Sequence, residues 1–288
     1  MVAGAIDGIG IMQGRLLPPI DGRLQAFPGR NWVEEFRLAR ECGLDAIEMI
    51  FDLDGIEENP LNSDSGLRRI DELARTFDIK VRSVCADYFM TRRLHRATRS
   101  ERDESMEVLA QLTRRCQQIG VGHIVVPLVD QAEIRTDDEL AEVTGSLLGV
   151  LERTDGCGVD YALEMSLPAD RIGSFLTDVR HPRLKVNYDT GNSTALGYDL
   201  VSEIEQLHPW IVNVHVKDRK VAGESSLLGE GDTDFDGAFG TLAGTGYRGL
   251  LILQAQRGSD EMTTAKRHLR FVRDKIARHF SRTERQRS

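Results

Sequence analysis

The sequence is short of cysteine, of long apolar runs and of positive charge, and each shortage excludes something. Four cysteines occur in 288 residues, Cys42, Cys85, Cys116 and Cys157, and none forms a C-x-x-C pair. Scattered over a chain this long, they fit reduced thiols in a cytosolic protein rather than a disulfide framework. No run approaches the roughly 18 apolar residues of a membrane span. The N-terminus has no basic segment leading into an apolar stretch, so no signal peptide is expected and the expected location is cytoplasmic. Lys and Arg total 37 against 46 Asp and Glu, for a net charge of -9 and a pI near 5.4. That balance argues against a broad nucleic-acid surface. It leaves room for local cations that bind a small phosphorylated molecule.

What remains is ordinary for a globular protein: 40% hydrophobic and 29% charged residues. A chain of this length can bury a large core without a disulfide or a structural metal. Short apolar runs alternate with amphipathic stretches throughout. Strands are expected at Ile6–Met12, Ala46–Phe51, Lys80–Ala86, His123–Val129, Asp160–Met165, Leu184–Tyr188, Ile211–Val216 and Leu250–Leu253. Helices are expected at Asn31–Cys42 (capped by Asn31 and stopped by Gly43), Asp64–Phe77, Ser100–Ile119 (capped by its Ser), Thr136–Arg153, Ala169–Val179, Leu200–Leu207, Phe235–Ala243 and Thr263–Arg278. Strict alternation implies a parallel sheet. Eight such units predict a single-domain α/β protein, a (β/α)8 TIM barrel over 1–288, which typically needs about 250 residues. A Rossmann-type sheet is the rival. The glycines near Gly8 and Gly10 do not serve it, because the run continues as strand and Pro18-Pro19 follows where a helix should begin. The Arg-rich segment from about residue 279 reads as a polar helix end.

In such a barrel, polar residues at the C-terminal ends of strands are the ones to question. Strand five ends in Glu164, strand six runs into Asp189, strand seven carries His215 and strand eight ends at Gln254. Residues alternate faces along a strand. Asn213, His215 and Lys217 therefore share one face, and Lys185, Asn187 and Asp189 another, both directed to the barrel mouth. Two carboxylates and an imidazole around one point suit a divalent cation, with the imidazole favouring Mn2+, Co2+ or Zn2+ over Mg2+.

The pieces IMQGRLLPP, GLDAIEMIFD, VRSVCADYFM, ALEMS, NYDTGN, HVKDR and LGEGDTDF with GYRGLLILQ carry a family likeness. Over nearly its whole length the chain resembles the xylose-isomerase-like barrels, a group of sugar-phosphate isomerases and 3-epimerases. Within that group it looks most like the L-ribulose- and L-xylulose-5-phosphate 3-epimerases. The resemblance implies a metal, most often Mn2+, held by Glu164, Asp189 and His215, with the fourth ligand position falling on Gln254. There the chain departs from the pattern: an amide replaces a glutamate, giving a neutral donor that cannot carry a proton. Glu164 is the remaining general base for proton removal next to a carbonyl, through an enediolate. Asp87, Asp218 and His95 are candidates for a second proton carrier. Asn192, Lys217, Asp218, Arg219, Arg257 and Asp87 are the expected substrate-binding residues, with Lys217, Arg219 and Arg257 placed to take a phosphate or carboxylate. The glycine-punctuated stretch Val221–Asp234 is long enough to cover the site. The expected partner is a small sugar or sugar phosphate, with no nucleic acid and no membrane, in a chain able to form a homo-oligomer. Two other readings share the chemistry or the scaffold: a keto-sugar or inosose dehydratase, and a non-catalytic sugar-binding barrel that has lost its fourth metal carboxylate. An endonuclease IV-like nuclease would need many histidines around several metals, and only seven occur here.

Overall fold

A computed structural model describes residues 6–287, with side chains through Phe280. Eight parallel strands close into a barrel: β1 (Gly8–Met12), β2 (Ala46–Ile50), β3 (Ser83–Cys85), β4 (His123–Leu128), β5 (Asp160–Met165), β6 (Leu184–Asp189), β7 (Ile211–Val216) and β8 (Leu250–Leu253). Neighbours in sequence are neighbours in the sheet, and β8 returns to pair with β1 through Gly8↔Leu250 to Ile11↔Leu253. This is the expected (β/α)8 barrel. Eight main helices follow the strands: α1 (Glu34–Cys42), α2 (Asp64–Phe77), α3 (Arg99–Gln118), α4 (Asp137–Arg153), α5 (Ala169–Val179), α6 (Leu200–Leu207), α7 (Phe235–Thr245) and α8 (Glu261–Arg287). Each helix buries one apolar stripe against the strands, as with Leu67, Ile70 and Leu73 of α2.

Several boundaries differ from the sequence reading for local reasons. Asn31 lies within a 3-10 turn, Gly29–Val33, and α1 begins only at Glu34, with no side-chain cap. Gly43 does end α1 in the left-handed conformation. The cap of α3 is Thr98 rather than Ser100. Thr98 accepts from the Glu101 backbone, and the Glu101 carboxylate reaches back to Thr98 N, a complete capping box. The third strand is shorter than expected, because Lys80 makes a lone bridge to Ala46 and the ladder resumes at Ser83. The backbone of α8 continues through Arg287 and takes in the Arg-rich segment. The expected strand start at Ile6 gives way to Gly8. No helix among the described residues is long and apolar enough to cross a membrane. All four cysteines are free thiols.

Candidate metal centre and active-site cleft

The barrel places Glu164 near the end of β5, Asp189 at the end of β6 and His215 near the end of β7, in adjacent strands with Asp189 paired directly to His215. One ligand atom from each lies within 4.8 Å of the others, and all three residues are buried. The local sequence explains how Asp189 is aimed. It caps the short helix Thr190–Ala195, with Oδ1 accepting from Gly191 N at 2.9 Å and Asn192 N at 2.8 Å. Its other oxygen, Oδ2, is buried without a hydrogen-bond partner, 3.6 Å from Lys217 Nζ. Gly191 is required there because a Cβ would lie 2.7 Å from Lys217 Cγ.

Glu164 is held by two amides. Asn187 Nδ2 donates to Oε2 at 2.7 Å and Asn192 Nδ2 to Oε1 at 2.7 Å. His215 Nδ1 faces Glu164 Oε2 at 3.2 Å. Burial works against charge on Glu164, but the His215 hydrogen bond and charge, then Lys217, outweigh it and hold the carboxyl below its usual range. Burial, reinforced by Glu164, instead leaves the Asp189 carboxyl above its usual range, although Lys217 opposes the shift.

The sequence reading assigned no role to Glu48, which proves to be the partner that orients the histidine. It sits at the middle of β2 with no solvent exposure. Its Oε1 is 2.7 Å from His215 Nε2, and its Oε2 accepts from Asn213 Nδ2 at 2.8 Å. Asn213 in turn donates to Asn187 Oδ1 at 2.9 Å. A chain of polar contacts thus runs across the barrel interior from Glu48 to Glu164. Burial disfavours the imidazolium, but Glu48 and Glu164 more than offset it and raise the His215 pKa to about 10. A carboxylate on the far nitrogen of an imidazole is the arrangement that fixes a metal-ligating histidine.

The donor set fits a divalent cation. Besides the free Asp189 Oδ2, the amide oxygen of Gln254 is buried without a hydrogen-bond partner. Gln254 lines the same cleft as Glu164 and stands one residue beyond β8, its backbone N–H bonded to Val216 O at 3.1 Å. Orphaned buried acceptors of this kind carry a desolvation cost that a cation removes.

The cleft beside this cluster has a volume of about 390 Å3 and opens at the C-terminal ends of the strands. Asp87, just beyond β3, lines it and accepts from Gln25 Nε2 at 2.8 Å and from the Cys85 thiol at 3.2 Å. Burial pushes the Asp87 pKa up to about 6, against the pull of those two bonds. Gln25 also accepts from Gln254 Nε2 at 3.1 Å, so it bridges Asp87 and Gln254. Lys217 lines the cleft and donates to Asn192 Oδ1 at 3.2 Å.

Four expected site residues are engaged elsewhere. Arg257 donates to the carbonyls of Leu24, Leu17 and Gly14 at 2.9, 2.9 and 2.6 Å, which clamps the segment after β1. Arg219 spends Nε and one terminal nitrogen on Gly223 O and the other on Asn192 Oδ1. Asp218 turns into the loop that follows it, accepting from Gly229 N, Gly231 N and Thr233 N at 2.8, 2.9 and 3.2 Å. His95 is fully buried, with Nε2 against Glu133 O at 3.3 Å, and is not among the residues lining the cleft.

Comparison with known proteins agrees with this architecture. A family model described as a xylose isomerase-like TIM barrel matches residues 36–275. The L-ribulose-5-phosphate 3-epimerase UlaE of Salmonella paratyphi C (strain RKS4594) is 25% identical over 235 residues, covering 78% of this chain and 82% of that protein. A solved L-ribulose 3-epimerase superposes with a TM-score of 0.77 at 19% identity, over 97% of this chain and 96% of the other. The IolI protein, solved with a bound zinc atom, gives a TM-score of 0.75 at 15% identity over 95% and 99% of the two chains. At such identities the structural likeness is one of fold. With the family model spanning all but the ends of the barrel, the chain belongs to the xylose isomerase-like TIM barrel family.

Proposed function

We propose that the protein is a divalent-metal-dependent isomerase or epimerase of a sugar, working by proton transfer next to a carbonyl. The observation that carries this reading is the buried cluster of Glu164, Asp189 and His215, of which Glu164 lines an open cleft, with Asp189 Oδ2 left unpartnered. The relatives named as L-ribulose-5-phosphate 3-epimerase and L-ribulose 3-epimerase support sugar chemistry, and the zinc-bound IolI structure supports a metal. Mn2+ is the ion we favour, held by Glu164, Asp189, His215 and the amide oxygen of Gln254. When bound, the cation supplies Lewis-acid polarisation of a substrate carbonyl and stabilises the negative charge left by proton removal.

Glu164 is the general base. Its carboxyl is kept ionised by His215 and Lys217 and kept in place by Asn187 and Asn192. A fixed, ionised carboxylate at the cleft floor meets the geometric demand on a base. Of the three candidates for a second proton carrier, Asp218 is consumed by its loop and His95 by the Glu133 carbonyl. Asp87 alone lines the cleft. A pKa near 6 lets it hold or release a proton close to neutrality. We assign it that role, which restores the pair of carriers that a 3-epimerase requires despite the amide at Gln254. Lys217 and Asn192 orient Glu164 and contact the substrate.

The test is proton exchange. Mn2+-loaded protein should wash deuterium from D2O into a ketose at the carbon beside the carbonyl. Glu164→Gln should slow this by about 100- to 10,000-fold. Unchanged exchange in that variant would overturn the assignment of the base. Product analysis would separate isomer from epimer, and loss of water would point to a dehydratase.

A further inference from the structure

We infer that the substrate is an uncharged polyhydroxy carbonyl compound, a free sugar rather than a sugar phosphate or sugar acid. The inference rests on the sugar isomerase reading above and narrows its substrate class.

The first support is what the cationic side chains are doing. Phosphate recognition needs guanidinium or ammonium groups with free donors. Arg257 gives three donors to three backbone carbonyls. Arg219 is tied to Gly223 O and Asn192 Oδ1. Arg15 is nearly buried, with Nη1 given to Leu24 O and Nη2 to Gln25 Oε1, and only its Nε is without a hydrogen-bond partner. Arg23 at the rim is paired with Asp54 at 2.7 Å. Lys217 gives one donor to Asn192 Oδ1, and its charge lies 3.6 Å from Asp189 Oδ2, beside carboxylates it already balances.

The second support is independent of side-chain cations. In this fold, phosphate is frequently held by backbone N–H groups of the loops after the seventh and eighth strands. The glycine-rich loop after β7 has such a set of donors in Gly229, Gly231 and Thr233, and Asp218 Oδ1 and Oδ2 already accept from all three. The chain's own carboxylate thus fills the anion-binding nest. Gly231 belongs to the same device, because any Cβ there would collide with the Asp218 carboxylate.

The third support is the charge of the cleft. Its lining has three cations, Arg15, Arg23 and Lys217, against five carboxylates, Asp52, Asp54, Asp87, Asp130 and Glu164. A bound divalent cation, with Asp189 counted among the carboxylates, still leaves one negative charge in excess. A phosphate dianion entering this cleft meets like charge, which opposes its binding. Hydroxyl groups, by contrast, find carboxylate and amide partners around the wall.

The experiment uses matched pairs: ribulose, xylulose and fructose, each free and as its terminal phosphate ester, with Mn2+-loaded protein in D2O. The readout is kcat/KM for deuterium incorporation, with sulfate added separately as a competitor. Free sugars should exceed their phosphates by roughly 100-fold or more, and sulfate at tens of millimolar should not compete. A preference for any phosphate ester, or competitive inhibition by sulfate at low millimolar concentration, would overturn the inference and leave the isomerase reading standing. Absence of exchange into all six compounds would instead sink the isomerase reading, and the inference with it.

Discussion

Loading a divalent cation should eject close to one proton from His215 at pH 8. The imidazole is fully buried, with Glu48 Oε1 2.7 Å from Nε2 and Glu164 Oε2 3.2 Å from Nδ1. Against the opposing effect of burial, those carboxylates raise its pKa to about 10. At pH 8 the metal-free protein therefore carries about 0.99 of a proton on this ring in excess of neutral imidazole, whereas an unperturbed histidine would carry about 0.03. A cation needs the Nδ1 lone pair, so that proton must leave, and Nε2–H remains on Glu48. Calorimetric titration of Mn2+ into chelator-treated protein, in Tris and again in HEPES at pH 8, gives the proton count from the dependence of heat on buffer ionisation. A count near one is expected, with affinity rising about tenfold per pH unit between pH 7 and 9. A count under about 0.3 would refute the argument that the two carboxylates charge this histidine. The same shift sets a stability trend. A raised pKa means the ion pair contributes fully below the unfolded value near 6.5 and is lost as pH rises through about 10. Metal-free protein should therefore melt at progressively lower temperature from pH 6.5 to 10.

Other changes test the remaining parts. Glu48→Gln removes the first-ranked electrostatic support of His215, so the proton count on Mn2+ loading at pH 8 should fall well below one. Gln254→Glu replaces a neutral amide oxygen with a charged one, so Mn2+ affinity in competition with a chelator should rise; an unchanged or weaker affinity would remove Gln254 from the ligand set. Thr98→Ala breaks the capping box of α3 and should cost about 1 kcal/mol, visible as a fall of about 2 °C in Tm. An unchanged Tm would show the cap to be energetically idle.

The grouping of Glu164, Asp189 and His215 was legible because strand parity and strand ends are properties of sequence. Asn213 and His215, two residues apart in IVNVHV, must share a face, and closure of the barrel does the rest. Glu48 was legible in principle, as a lone charge inside the apolar run AIEMI. Its meaning depends on a partner 167 positions away, which no local pattern announces. For Arg257, Arg219 and Asp218 the sequence shows the charge but not the backbone groups that each engages, because such partners have no signature in sequence. The α3 cap turns on two hydroxyls two residues apart. Thr98 has Glu101 at the third position after it and Ser100 has Asp103, so the capping-box rule favours Thr98 over the residue nearer the helical run.

The Arg257 clamp orders events in time as well as space. It reaches from just past β8 to Gly14, Leu17 and Leu24, the segment that also carries Gln25 and, through it, the grip on Asp87 and Gln254. A chain emerging from the ribosome has Glu164, Asp189 and His215 once β7 is out, since they precede it or lie within it, whereas Gln254 follows β8. The mouth of the cleft waits for β8, because its first loop is tied down by the segment that follows that strand. The three clustered side chains and the mouth of the cleft are therefore completed at different times. A chain truncated before Arg257 should lose the ordered mouth even where it keeps the three clustered side chains.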